Sequence, residues 1–260
     1  MRIIFFGATE MGYQCCKQLF DMGENVVGIC SIPQEFSISY STSPVKNVTF
    51  HGFESLAEKY GVPLIFITTK MSDPRYIKII QAWGPDFGLA IGWYYMVPRV
   101  VRDLFPLGIA GMHASLLPKY RGGSPLVWAI INGETKTGVT LFYFDDGVDT
   151  GEIISQVEIK ITRDDTIKTV YEKATQISRD MLREYIPLIR QGIAPRIPQD
   201  HNAATQFPQR KPEDGLLDWS KSAEEIENFI RAQTKPYPGA FTFVQGKKVI
   251  IWDADVFEKD

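Results

Sequence analysis

Cysteine is nearly absent from this chain: three of 260 residues, Cys15, Cys16 and Cys30. The number is odd, the three crowd into the first thirty residues without a C-x-x-C spacing, and no histidine stands nearby. A disulfide framework and a zinc centre are therefore excluded, and no metal is expected. Long apolar runs are missing too. The opening MRIIFFGATEMG reaches glycine after six residues, too soon for a signal peptide or a membrane span, so a cytoplasmic protein with no membrane partner is expected. Nor is positive charge in excess: 28 Lys and Arg stand against 31 Asp and Glu, a formal net charge of -3. That balance supplies no general field for gathering phosphate backbones, which argues against nucleic acid as a nonspecific partner, a local basic patch aside. Internal repeats and low-complexity tracts are not visible. What the chain does have is 44% hydrophobic and 12% aromatic positions, enough to bury a sizeable core without staples, as one large domain or one domain with an annex.

The first ninety or so residues alternate in period. Arg2 to Phe6 is an apolar run ending in Gly7; a helix-like stretch covers about Glu10 to Met22, and Val26 to Ile32 reads as strand. Ser55 to Tyr60 follows as helix, Pro63 to Ile67 as strand, Pro74 to Trp83 as helix and Phe87 to Ile91 as a buried strand. Such alternation predicts an α/β fold, a Rossmann-like, mostly parallel sheet with helices on both faces and right-handed crossovers. Between Ser31 and Phe53 the text is rich in Ser, Thr, Pro and Asn without periodicity and reads as a long loop. After Gly108 come a short strand into His113, a loop through Pro125, a helix to about Asn132 and a strand from Gly138 to Phe144. Thr166 to Arg190 carries Ile167, Val170, Ala174, Ile177, Met181, Leu182 and Tyr185 at helical spacing, one long helix packed on the sheet.

From about Gln199 the character changes to a polar, proline-marked segment, then a short helix from Ala223 to Ala232, then AFTFVQGKKVIIWDADVF, a hairpin turning at Gln245 and Gly246. The division is a catalytic domain over 1–198 and a small C-terminal annex of helix and hairpin over 199–260. The hairpin's exposed edge can pair with a second copy, which makes a homodimer through the C-terminal region an option.

Gly7-Ala8-Thr9-Glu10-Met11-Gly12 follows a first strand and opens a helix, which invites a dinucleotide reading. The G-x-G-x-x-G spacing is absent, and Cys30 and Ser31 stand where an acidic residue closing the second strand belongs. A plain tight turn is the preferred reading.

The central stretch reads GMHASLLPKYRGGSPLVWAIINGETKTGVTLFYFDDGVDTGEI. His113 with Ser115-Leu116-Leu117-Pro118, then Tyr120-Arg121-Gly122, Gly138-Val139-Thr140 and Asp149-Thr150-Gly151 stand in one register over some forty residues. In that order they resemble the formyltransferase family that uses N10-formyltetrahydrofolate. The resemblance extends to Gly92 to Pro98 and to RAQTKPYPGAF, and so covers nearly the whole chain. It implies an enzyme that moves a formyl group from N10-formyltetrahydrofolate, its co-substrate, onto an amine, with His113 and Asp149 as catalytic pair. It also implies a pterin pocket formed by the backbone of Tyr95, Met96, Val97 and Pro98 and by the loop Asp145, Asp146, Gly147 and Val148, with Ser115, Leu116 and Leu117 on the folate side.

The chemistry suits those residue types. An uncharged amine attacks the formyl carbon, and the carbonyl oxygen gains negative charge as the tetrahedral intermediate forms. An imidazole can accept the amine's proton or donate to the oxyanion, and a carboxylate beside it orients the ring and relays the proton; each such role is worth about 10²- to 10⁴-fold in rate. His113 follows a predicted strand, at the carboxyl edge where open α/β sheets bind ligands. Asp149 follows another strand across the turn Asp145-Asp146-Gly147, so the two can meet. The plain readings are a hydrogen-bonded structural histidine, a turn-forming aspartate and ordinary aromatic packing for Trp93 to Met96. His51 and His201 lack such company and read as loop histidines.

One departure from the family pattern stands out: where the family carries an asparagine two residues before the histidine, this chain has Gly111. Loss of one oxyanion donor costs about 10²- to 10³-fold when nothing replaces it. Either a backbone N–H, Asn132 or Thr140 compensates, or the protein is a weakened folate- or nucleotide-sugar-binding relative. Within the family four acceptors are open: glycinamide ribonucleotide, methionyl-tRNA, water, and a nucleotide-linked amino sugar. Glu10 makes the first loop a poor phosphate cradle; a full C-terminal barrel with basic surface, expected for tRNA, and a regulatory domain ahead of Met1, expected for a deformylase, are not seen. KYRG, RKPEDGLLDW and KPYPGAF resemble the amino-sugar branch, including the formyltransferase part of the aminoarabinose pathway enzyme. A dTDP-, UDP- or GDP-linked 4-amino-deoxy sugar for surface glycan or lipopolysaccharide is therefore the expected partner, with methionyl-tRNA the alternative.

Overall fold

Parallel strands covered on both faces must be apolar on both sides, and β1 (Arg2–Phe6) buries Ile3, Ile4, Phe5 and Phe6 completely. The computed structural model describes residues 1–37 and 44–257. Around β1 the chain builds α1 (Glu10–Asp21), β2 (Asn25–Ser31), the two-residue strands β3 (Glu35–Phe36) and β4 (Val45–Lys46), α2 (Glu54–Tyr60), β5 (Leu64–Phe66), α3 (Pro74–Ala82) and β6 (Phe87–Ala90). The central block supplies a single turn, α4 (Arg99–Arg102), then β7 (Ile109–His113), β8 (Arg121–Gly122), α5 (Pro125–Ile131), β9 (Lys136–Tyr143), β10 (Ile153–Lys160) and the long α6 (Ile167–Arg190). The remainder adds β11 (Gln206–Phe207), α7 (Ala223–Arg231) and the hairpin β12 (Ala240–Val244) with β13 (Lys247–Ile251).

Seven strands form one sheet in the order β10-β9-β7-β6-β1-β2-β5. Pairs among β5, β2, β1, β6 and β7 are parallel; β9 lies antiparallel to β7, and β10 antiparallel to β9. One face is covered by Cys15 and Leu19 of α1, Leu126 and Ile130 of α5, and Val170 and Met181 of α6. The other is covered by Tyr76 and Ile80 of α3 and Val101 of α4. The fold expected from the alternation is thus present, with helices on both faces. Strand β10 was not expected from the sequence: it is an edge strand whose Ser155, Glu158 and Lys160 face solvent or half-face it, so it lacks the continuous apolar run of a central parallel strand.

The long loop expected over Ser31 to Phe53 contains the β3–β4 pair, while its middle, residues 38–43, lies outside the described residues. The turn after β1 is stitched by main-chain bonds from Gly7 to Cys30 and from Ala8 to Gly92, and Thr9 caps α1 by accepting from the Gly12 amide at 3.1 Å. The hairpin turn falls at Gln245 and Gly246, both left-handed (φ 49° and 75°), the geometry a two-residue turn between twisted strands needs. All three cysteines are buried and free, their thiols pushed up by burial, which leaves them unreactive. No described helix is long and apolar enough to cross a membrane, and no group of three or more His, Cys, Asp or Glu among the described residues is placed to hold a metal.

Candidate active site

Strand β7 ends on His113, and its residues Gly111 and His113 point to the same face of the sheet because strand side chains alternate. The ring is fixed by its neighbours. Nε2 lies 2.6 Å from the Tyr120 carbonyl oxygen, which can only accept, so Nε2 carries the proton and Nδ1 presents a lone pair when the ring is neutral. Nδ1 faces Asp149 Oδ2 at 3.5 Å. The two side chains are 10% and 20% exposed, withdrawn from bulk water yet open to a ligand.

Asp149 arrives by a route the sequence did not suggest. Because β9 runs antiparallel to β7, with Thr140 opposite His113 and Tyr143 opposite Ala110, the loop after β9 begins beside the start of β7. It must fold back to bring Asp149 to His113. Asp149 adopts φ 54°, a left-handed conformation that aspartate tolerates better than most side chains. Its Oδ2 accepts the Gly122 amide at 2.8 Å, and its Oδ1 has no hydrogen-bond partner among the described residues. Residues Tyr120 to Gly122 therefore touch both members of the pair, through a carbonyl on one side and an amide on the other.

That segment is held from below. Strand β8 pairs in parallel with β11, the Tyr120 and Arg121 amides donate to the Thr205 hydroxyl and carbonyl, each at 2.8 Å, and the Tyr120 ring stacks on Phe207 with centroids 4.8 Å apart. The Tyr120 phenol donates to Glu134 at 2.7 Å; burial and that carboxylate push its pKa up to about 12. Asn132, a candidate to replace the family's asparagine, spends its amide on the same phenol at 3.2 Å. Thr140, the other side-chain candidate, donates to the Ser115 carbonyl at 2.6 Å and accepts from the Leu117 amide and Gln156. Thr140 thereby spends its single hydroxyl proton and is unavailable as an oxyanion donor, while Asn132 keeps a second amide proton but is tied to the Tyr120 phenol. At Gly111 itself an added Cβ would stand 2.4 Å from the Phe144 ring and 2.8 Å from the Ala90 carbonyl oxygen, so the ring of Phe144 fills the space that a side chain there would need.

The expected folate residues fall in two groups. Tyr95 to Pro98 and Asp145 to Val148 are joined through an ion pair of Arg102 with Asp146, and Arg102 also donates to the Val97 carbonyl at 2.8 Å. Among the described residues the main-chain N–H groups of Tyr95, Met96 and Val97 have no partner, and neither does the buried indole N–H of Trp93, set edge to face against Tyr95; Met96 and Val148 are exposed apolar side chains. Unpaired donors beside apolar surface fit a flat heterocycle with acceptors on its edge. Ser115 and Leu117, by contrast, turn inward: the serine hydroxyl donates to the Lys119 carbonyl at 2.6 Å and Leu117 packs on Phe142 and Ile153. Leu116 packs against Gly138.

Gln199, given no site role in the sequence, and His201, read there as a loop histidine, also converge here. Gln199 reaches the Asp149 and Gly151 carbonyls, Arg121 reaches Gln199, and His201 meets Arg121 at 3.1 Å. A cleft of about 330 Å³ lies beside them, lined by Phe144, Asp145, Thr150, Arg196, Gln199 and His201 among others. His51 pairs with Glu10 at 2.5 Å and packs its ring at a tilt against Tyr13, with no bond to this network among the described residues.

Residues 1–186 match the family described as "Formyl transferase", and residues 210–260 match "Formyl transferase, C-terminal domain". A methionyl-tRNA formyltransferase from Alkaliphilus oremlandii is 35% identical over 263 aligned residues, covering 100% of this chain and 82% of the relative. A solved structure of a likely sugar N-formyltransferase from Mycobacterium tuberculosis superposes with a TM-score of 0.73 at 21% identity, covering 100% of this chain and 99% of that one. An N-formyltransferase from Helicobacter canadensis, solved with folinic acid and dTDP-3-aminofucose, gives 0.69 at 19% identity over 95% of this chain and 86% of that one. At these identities the solved structures speak to fold. The profile match over most of the chain and the whole-length relative speak to descent and reaction class, and together with the geometry above they make this protein an enzyme of the formyl transferase family.

Proposed function

We propose that the enzyme transfers the formyl group of N10-formyltetrahydrofolate to the amino group of a nucleotide-linked 4-amino-deoxy sugar, with His113 and Asp149 as its catalytic pair. The observation that carries the chemistry is the arrangement of three groups: the Tyr120 carbonyl fixing the proton on Nε2, the Nδ1 lone pair, and Asp149 beside it. Two lone pairs facing across 3.5 Å leave a gap that a proton donor fills. The uncharged amine enters there. As its nitrogen bonds to the formyl carbon, its proton passes to Nδ1, and the doubly protonated ring, its charge balanced by Asp149, then donates from Nδ1 toward the oxyanion. Collapse of the intermediate breaks the bond to N10, which leaves with that proton. Folate recognition falls to the main chain of Tyr95 to Pro98 and Asp145 to Val148.

For the acceptor, charge is the discriminating physical fact. Residues 199–260 hold 8 Lys and Arg against 11 Asp and Glu, a net of -3 in the part that a tRNA would have to engage. Glu10, first residue of α1, sets a carboxylate where a phosphate would otherwise dock. Methionyl-tRNA is the second reading, favoured by the whole-length relative. On the first reading the protein works in the cytoplasm, 1–198 is the catalytic domain and 199–260 its annex. The exposed Phe243, Val249 and Ile250 of the hairpin offer a surface for a homodimer, checked by light scattering.

The test is a parallel screen: purified protein, N10-formyltetrahydrofolate, and either dTDP-, UDP- and GDP-linked 4-amino sugars or methionyl-tRNA, read by mass spectrometry for the gain of one formyl group. Formylation of a sugar nucleotide supports the proposal. Formylation of the tRNA alone replaces it with the second reading, and no product with any amine refutes both.

A further inference from the structure

We propose that Gln199 is a positioning residue for formyl transfer, holding the left-handed turn at Asp149, and with it the carboxylate, against His113. The inference rests on the catalytic pair proposed above. Gln199 is 7% exposed and every polar group of its side chain is engaged. Its Nε2 donates to the Asp149 carbonyl at 2.9 Å and to the Gly151 carbonyl at 2.7 Å; its Oε1 accepts from Arg121 Nη2 at 2.6 Å and Nε at 3.3 Å. The carbonyls can only accept and the guanidinium can only donate, so the amide's orientation is fixed by its partners.

The chemistry of the position is demanding. It needs two N–H donors on one atom and a neutral acceptor on the other, and among side chains of this length only glutamine supplies both. Glutamate keeps the bond to Arg121 but turns a carboxylate oxygen toward two carbonyls. Arg121 is itself buried, and among the described residues its guanidinium meets the neutral Gln199 Oε1 and the His201 Nδ1. A charged donor on Oε1 gives a stronger hydrogen bond than a neutral one and polarises the amide toward donating more strongly through Nε2.

The clamp is local to the carboxylate. On the far side of the turn, a Cβ at Gly151 would stand 1.7 Å from the Tyr143 carbonyl oxygen, so the chain is pressed against the end of β9. The residue after Arg121 is Gly122, whose amide holds Asp149 Oδ2 at 2.8 Å. Arg121 and Gln199 thus tie together the two segments that present the amide and the carboxylate of a single hydrogen bond. If the turn relaxes, Oδ2 leaves the Gly122 amide and the 3.5 Å approach to Nδ1 opens. A displacement of about 1 Å in such a group costs roughly 10²-fold in rate.

The test uses Gln199→Met, close in shape and without hydrogen-bonding capacity, alongside Asp149→Asn and the double variant in the full chain. Hydrogen exchange is read at the Gly122 amide and across 145–151, binding is read with 5-formyltetrahydrofolate, and turnover with the acceptor that the screen identifies. Gln199→Met is expected to speed exchange at Gly122 at least tenfold while β1 and β6 keep their protection. It should lower kcat about 10- to 100-fold with KM for the amine and the Kd for 5-formyltetrahydrofolate within threefold, and add no further loss in the Asp149→Asn background. Unchanged exchange at Gly122 overturns the inference even if no acceptor is found, and so does a loss of kcat that multiplies with that of Asp149→Asn. Full turnover in Asp149→Asn instead refutes the catalytic reading itself.

Discussion

Placing asparagine at position 111 by Gly111→Asn tests why the family's side chain is missing. The structure says that the slot is full. A Cβ alone would sit 2.4 and 2.5 Å from two atoms of the Phe144 ring and 2.8 Å from the Ala90 carbonyl oxygen, and Ala90 is main chain in the strand paired directly with β7. Overpacking of that kind costs about 1–3 kcal/mol. At roughly 2–4 °C per kcal/mol for a chain of this size, the melting temperature should fall by about 2–12 °C. Activity should not improve, because the ring can yield only by moving Phe144, the residue that leads into the Asp145 to Asp149 loop, and a displaced Asp149 costs more than a new donor returns. Phe144→Leu in the same chain relieves the ring contact but not the one with Ala90, so the double variant should recover part of the stability, a coupling of about 1 kcal/mol by a double-mutant cycle. Urea unfolding with kcat on the four proteins provides the measurement. Should Gly111→Asn keep the wild-type midpoint and turn over faster, the steric account is wrong and the glycine is a plain loss of a donor.

His113→Ala and Asp149→Asn should each lower kcat by at least about 10²-fold while leaving the circular dichroism spectrum unchanged, and full activity in either removes that residue from the mechanism. Arg102→Ala breaks the tie between the two pterin loops, and the Kd for 5-formyltetrahydrofolate should rise several-fold in fluorescence titration with the unfolding midpoint little changed. Thr140→Val leaves the Leu117 amide, the Gln156 amide and the Ser115 carbonyl short of a partner and should cost about 1–3 kcal/mol in urea. Asp165 accepts from Lys173 at 2.7 Å, from the Thr162 amide and hydroxyl and from Thr169; burial pushes its carboxyl up, but these donors outweigh it and hold the pKa well below the usual range. A depressed folded-state pKa means a contribution present above about pH 4 and fading as pH falls further, so Asp165→Ala should lose about 2–4 kcal/mol at pH 7 and the gap to wild type should narrow in acid.

The parallel half of the sheet was legible because its strands are buried on both faces and so spell unbroken apolar words, as in IIFF of β1 and FGLA of β6. The antiparallel half was less so. Strand β10 mixes Ile153, Ile154 and Ile159 with Ser155, Gln156, Glu158 and Lys160, a pattern that an edge strand allows and a loop also shows. The pairing of β8 with β11 spans two residues on each side, too few for any period to register, yet it holds the segment that touches both members of the candidate pair. His113 announced itself through its place at a strand end within a dense motif. Gln199 did not: in PQDHNAATQFPQ it looks like one more polar linker residue, and what distinguishes it is the position of two carbonyls fifty residues away.

The approach of Asp149 shows how far strand direction controls chemistry that sequence order alone does not reveal. Had β9 run parallel to β7, its following loop would leave from the edge where His113 stands and the carboxylate could reach the ring by a short hop. With β9 antiparallel, Thr140 rather than Tyr143 lies opposite His113, and the loop has to return across the face of β7. The return needs room above that face, and Gly111 leaves it for the Phe144 ring. It also needs a reversal, which the left-handed backbone at Asp149 supplies, and an anchor, which the Gly122 amide provides at 2.8 Å. The glycine, the strained aspartate and the amide are thus three answers to one topological demand, and changing any of them should be felt first at the distance between Nδ1 and Oδ2.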